Sequence, residues 1–132
     1  MQTAVQSAPV SKKMLWAGRI LTALIGLFML FDAGIKVLRL TPAVEGTVRL
    51  GYPAGTVVAI GLAALVSVVL YLVPRTAVLG AILLTGYLGG ATATQVRMED
   101  PWFAFPVFVG MLAWAGIYFR DRRVRQLIPL RS

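Results

Sequence analysis

Residues 49–97, RLGYPAGTVVAIGLAALVSVVLYLVPRTAVLGAILLTGYLGGATATQVR, decide the fold. No charged residue lies between Arg49 and Arg75 or between Arg75 and Arg97. Each gap therefore holds one helix of about 20 residues, the length that crosses a bilayer. Only Pro74-Arg75 separates the two, so they are predicted to form an antiparallel hairpin. Working toward the C-terminus, a third uncharged gap runs from Asp100 to Arg120, and Asp100-Pro101 reads as an N-cap followed by proline at the first helical position. Toward the N-terminus, Met14 to Val37 is a fourth apolar stretch, in which Asp32 and Lys36 interrupt the last third. It spans if that charged end reaches the interface or is buried against partners. Its length, and the lack of a small-x-small site before Asp32, predict a retained helix and not a cleaved signal peptide.

Composition agrees with this reading. The chain is 58% hydrophobic and only 14% charged, which puts its 132 residues in the membrane class. Lys and Arg outnumber Asp and Glu by 13 to 5, but no basic stripe interleaved with aromatics exists to make nucleic acid a partner. With no Cys and no His, the chain lacks thiol redox chemistry, Cys/His metal sites, His-ligated haem and a Ser-His-Asp triad, so no metal site is expected.

The predicted fold is all-α: a four-helix transmembrane bundle with spans at about 14–38, 53–73, 75–97 and 101–120 in the bilayer. Residues 1–13 are expected to form a disordered cytoplasmic tail and residues 121–132 a basic one. Between spans one and two, Val44 and Val48 fall at i,i+4 with Glu45 and Arg49 on another face, as in a short interfacial helix; a solvated loop is the alternative. The side carrying both termini sums to +8, and the other side, with Lys36, Arg39, Arg49 and Arg97 against Asp32, Glu45, Glu99 and Asp100, cancels to zero. The positive-inside rule then puts both termini in the cytoplasm. Trp16, Tyr71, Trp114, Tyr118 and Phe119 near one boundary, and Tyr52, Trp102, Phe103 and Phe105 near the other, read as interfacial belts.

Helices in lipid associate through close backbone approach and interhelical hydrogen bonds. Small residues mark the expected contacts: Gly55, Ala59, Ala63 and Ser67 on span two, Gly86, Gly89, Gly90 and Ala93 on span three, and Gly18, Thr22 and Gly26 on span one. Packing within the bundle or a homo-oligomer interface through span three would both use such faces. Asp32, Lys36 and Arg39 share one face of span one, and Gln95, Arg97 and Glu99 end span three on the same side. Asp32, Lys36, Gln95 and Arg97 are therefore candidates to line an outward-opening polar pocket, against the plainer reading of a salt-bridged cap that orients span one.

The run PRTAVLGAILLTGYLGGA at residues 74–91, with FDAGIKVLRL in span one, VRLGYP before span two and the closing IYFRDRRVRQLIPLR, resembles the DoxX-like family of small four-helix bacterial membrane proteins. The resemblance covers roughly Met14 to Arg131 and implies a multi-pass protein of the bacterial inner membrane. Lys36 and Arg97 match residues usual in the family, while Gln95 stands where similar members commonly carry His. An amide there is neither a proton acceptor nor a good metal ligand at neutral pH. Relatives associated with quinone-linked redox work imply a non-catalytic accessory subunit with a redox-enzyme partner. The alternative is a binder or transformer of a small lipophile such as a quinone in the polar pocket. No catalytic residue is assigned.

Overall fold

The computed structural model describes residues 12–128, and every regular element among them is helical. The helices are α1 (Lys12–Val37), α2 (Thr41–Arg49), α3 (Val57–Leu72), α4 (Ala77–Arg97), α5 (Ala104–Arg120) and α6 (Arg122–Leu127). One 3-10 turn precedes each of α3, α4 and α5, at Ala54–Thr56, Pro74–Thr76 and Pro101–Phe103. With those turns, four segments are long and apolar enough to cross a membrane: Lys12–Val37, Ala54–Leu72, Pro74–Arg97 and Pro101–Arg120. The expected N-terminal tail lies outside the described residues except for Lys12 and Lys13, which already belong to α1.

Pro74 and Pro101 open the last two spans for a physical reason, since proline has no N–H to leave unpaired in a first turn and its φ is already near the helical value, while Pro53 stands just before Ala54 as an extended N-cap. At Pro101 the Asp100 carboxylate also accepts the Trp102 N–H at 2.8 Å. The opposite helix ends share a second device. At Arg39, Gly51 and Glu99 the backbone enters the left-handed region, with φ of 57°, 95° and 56°. Leu40, Tyr52 and Asp100 then return their N–H groups to Ile35, Thr47 and Gln95, which closes α1, α2 and α4 in Schellman turns. These three turns and α2 gather at one end of the bundle, and the described chain ends lie at the other.

α1 packs against α3 and α5, and α4 packs against the same two, so the spans form a ring in which α1 and α4 stand diagonally. Met29, Ala33, Val68, Leu84 and Ala113 fill its centre. Contacts form where glycine lets backbones meet. A Cβ on Gly18 would stand 2.7 Å from the Gly116 carbonyl, one on Gly61 would stand 2.7 Å from the Lys36 Cβ, and one on Gly80 would collide with the backbone of Leu70 and Tyr71.

Apart from Ser67, which is buried, the small residues expected at contacts of spans two and three lie elsewhere. Ala59, Ala63, Gly86, Gly89 and Gly90 are on the outer surface, and a Cβ at any of those three glycines would touch nothing within 4 Å. The buried face of α3 runs instead through Val57, Gly61, Ala64, Val68 and Tyr71, a seven-residue repeat, and of the Gly55-Ala59-Ala63-Ser67 row only Ser67 is buried. Gly18 and Gly26 do pack, against α5 and Leu72.

Tyr71 also departs from its assignment as a belt residue. It is fully buried, and its hydroxyl donates to the Ala113 carbonyl at 2.6 Å. A buried phenol needs a partner, and the α5 backbone supplies it. Beyond α5, Asp121 caps α6 by accepting the Arg123 N–H at 2.8 Å, and Arg125 folds back to donate to the Tyr118 and Phe119 carbonyls at 2.8 and 3.2 Å. A cation on the last carbonyls of a helix satisfies acceptors that have no partner within it.

Candidate functional site

At the end that carries α2, a cavity of about 450 Å³ lies among α1, α3 and α4. Its size is within the range of small-molecule sites. α1 contributes Asp32, Ile35 and Lys36, α3 contributes Ile60 and Ala63, and α4 contributes Gly86, Tyr87, Gly90, Ala91, Thr94 and Gln95. α2 lies over it. The inward face of α2 is Ala43 and Thr47, both buried, with Gly46 and Arg49 beside them, so Val44 and Val48 do not define the face that packs.

The polar centre is built on Lys36. Its ammonium donates to Asp32 Oδ2 at 2.8 Å and to the Tyr87 hydroxyl at 2.7 Å, and that hydroxyl lies 3.4 Å from the same carboxylate oxygen. The one-turn spacing on α1 places the carboxylate and ammonium together. Gly61 lets α1 approach α3 closely enough for the Lys36 stem to lie on its backbone. The 5.4 Å between the ammonium and the Tyr87 ring centre follows from the hydrogen bond to the hydroxyl and marks an edge contact, not a cation over the ring face. Lys36 and Asp32 keep side-chain exposures of 19% and 28%, so both remain reachable from the cavity.

A second pair lies closer to α2. The Tyr52 and Thr94 hydroxyls are 2.7 Å apart, and Thr94 donates to the Gly90 carbonyl at 2.8 Å, which leaves Tyr52 as the donor between them. Gln95 lines the same cavity with its Oε1 buried and without a hydrogen-bond partner in the described structure. A buried acceptor of this kind is costly unless something donates to it. The cavity thus offers an ammonium and a phenol at one position, an unanswered amide oxygen at another, and apolar walls from Ile35, Ile60 and Ala63.

Of the four candidates from the sequence, Asp32, Lys36 and Gln95 line this one cavity, and Arg97 does not. Arg97 is exposed, with its guanidinium beside Gly51. Six polar cavity residues escaped the sequence reading as site residues: Thr47, Arg49, Tyr52, Tyr87, Thr94 and Asp100. Tyr87 had a usable signal, because a phenol between Gly86 and Gly89-Gly90 sits well inside a span, away from either interface. Tyr52 was assigned to an aromatic belt, and only the Schellman turn at Gly51 directs it to Thr94.

A model described as the DoxX-like family matches residues 20–116, a range that includes every residue lining the cavity. No curated protein and no solved structure matches the chain.

Proposed function

The chain belongs to the DoxX-like family and is a multi-pass membrane protein, and on that premise we propose that it binds a small lipophile with a hydrogen-bonding head, a quinone first among them. The observation that carries this reading is the Asp32-Lys36-Tyr87 cluster inside a cavity of about 450 Å³. A quinone carbonyl accepts hydrogen bonds, and the Lys36 ammonium, which gives two of its three N–H groups to Asp32 and Tyr87, has a third to donate. Gln95 Oε1 would accept from a reduced, hydroxylated head. Asp32 holds the ammonium in place and offsets the cost of keeping it within the span.

The role proposed for the isolated chain is binding. Without Cys or His the chain supplies no thiol or imidazole for electron or proton relay, so the bound lipophile would be exchanged with a redox-enzyme partner, and the chain acts as an accessory subunit. A cytoplasmic position of both termini is supported by the charge asymmetry between the two ends of the bundle, and placement in the bacterial inner membrane by the family alone.

The test is a lipid extract of protein purified in mild detergent, analysed by mass spectrometry beside an extract of the Lys36→Met variant. A stoichiometric lipophile in the first that is depleted in the second is the expected result. Bulk phospholipid alone, in the same proportions in both extracts, would overturn the proposal.

A further inference from the structure

Resting on that ligand-binding reading, we infer that the cavity opens sideways to the bilayer between α3 and α4, and that its ligand carries a hydrocarbon chain that stays in the membrane while the head reaches Lys36. Ala63, Gly86 and Gly90 both line the cavity and lie on the outer surface of the bundle, which places them at a mouth facing lipid. A Cβ on Gly86 or Gly90 would meet nothing within 4 Å, so these glycines are not small in order to admit a neighbouring helix of this chain. Glycine inside a helix costs stability, and here what it leaves open is the way into the cavity.

The other boundaries differ in character. Near the chain ends α3 and α4 are shut, because Gly80 lies directly on the Tyr71 backbone. At the α2 end the cavity shares Arg49, Leu50 and Asp100 with a smaller cleft that Met98, Pro101 and Trp102 complete. Two charged side chains at that opening, Arg49 and Asp100, suit water and a polar head, and a hydrocarbon chain laid there would desolvate them at a cost. The apolar chain of a ligand therefore fits the α3/α4 opening, with its head turned inward to Lys36, Tyr87 and Gln95.

The experiment uses the full chain in lipid nanodiscs and two probes, a benzoquinone carrying a decyl chain and the same ring without it. Gly86→Leu, Gly90→Leu and Ala63→Leu each place a side chain at the mouth. Gly89→Leu puts the same side chain on the outer surface of α4 at a position that does not line the cavity. Each variant is first checked for a wild-type thermal transition, and the three mouth variants stand in for one another if one fails that check. The expected result is that the mouth variants bind the decyl probe about tenfold more weakly and lose clearly less affinity for the tail-free ring, and that Gly89→Leu, which does not line the cavity, binds both probes as wild type does. Unchanged decyl binding in the mouth variants, or equal loss of both probes, overturns the lateral opening while leaving the ligand-binding reading in place. If wild type binds neither probe any better than Lys36→Met, the ligand-binding reading itself fails, and the opening with it.

Discussion

Lys36 on α1 and Tyr87 on α4 are 51 residues apart in sequence, and their polar atoms meet at 2.7 Å across the diagonal of the helix ring. α1 and α4 share no extended helix contact, so this hydrogen bond ties together two spans that otherwise communicate through α3 and α5. Interhelical hydrogen bonds in membranes are worth on average only about 0.6 kcal/mol. The larger effect is the charge left behind when one partner is removed.

Asp32→Asn and Lys36→Met are each expected to lower the yield and thermal stability of folded protein, by about 3 kcal/mol or less given the partial exposure of both groups. The double variant should recover part of that loss, since no buried charge then stands alone. Tyr87→Phe should cost less than either, because Asp32 still answers the ammonium. Equal melting temperatures for all these proteins would show that both charges are solvated and that the cluster is not a buried one.

Glycine substitutions separate contact from surface. Gly80→Ala is expected to destabilise by about 1–3 kcal/mol, because the new methyl meets the Tyr71 backbone, which cannot rotate away as a side chain would. Gly86→Ala, with open space around it, should be neutral or stabilising by about 0.5–1 kcal/mol through the helix it strengthens. Unfolding in detergent, followed by circular dichroism, measures both. The assignment of α3/α4 packing to Gly80 would be wrong if the order were reversed.

The Schellman turns give a prediction of opposite sign. Arg39 and Glu99 hold a left-handed backbone that favours glycine, and Gly51 holds the same region with the residue suited to it. Arg39→Gly and Glu99→Gly should each stabilise by about 1 kcal/mol, and Gly51→Ala should destabilise. A fall in melting temperature for both glycine variants would mean that the charged side chains contribute more at those positions than the backbone costs.

The spans were legible because a charge at depth is expensive, so the charge-free gaps from Arg49 to Arg75, Arg75 to Arg97 and Asp100 to Arg120 could hold little else. Which face of each span turns inward was less legible. In a soluble helix the polar face marks the outside, but α3 has no charged residue to mark one, and the row of small residues at Gly55, Ala59 and Ala63 is as regular as the true contact row through Gly61 and Ala64. Asp32, Lys36 and Gln95 could be placed at one cavity because polar atoms within a span seek one another. Tyr52 reads equally well as an interfacial anchor, and only the turn at Gly51 directs its hydroxyl inward, whereas Tyr87 lies well inside span three and only the order of the helix ring brings its hydroxyl to Lys36. Arg97 misled for the converse reason. Two residues past Gln95, it has already turned to the outside of α4.

Topology has a direct measurement, and the structure chooses the positions for it. The chain has no native cysteine, so single introduced ones report alone. Thr47 in α2 faces the cavity and is buried, whereas Glu45 on the same helix is exposed. At the opposite end the Arg123 side chain on α6 is 86% exposed. Arg75, Arg120, Arg122, Arg123 and Arg125 gather at that end with Lys12, Lys13 and Arg19 and only Asp121 against them, while the α2 end is balanced. Each basic residue beside an anionic leaflet contributes about 1 kcal/mol, so an excess of this size favours the orientation that puts this end on the anionic cytoplasmic side. An impermeant maleimide on intact cells is therefore expected to label Glu45→Cys and to spare Arg123→Cys until the cells are opened. The reverse pattern would invert the bundle and turn the cavity toward the cytoplasm, and labelling of both positions in intact cells would mean that neither orientation is fixed.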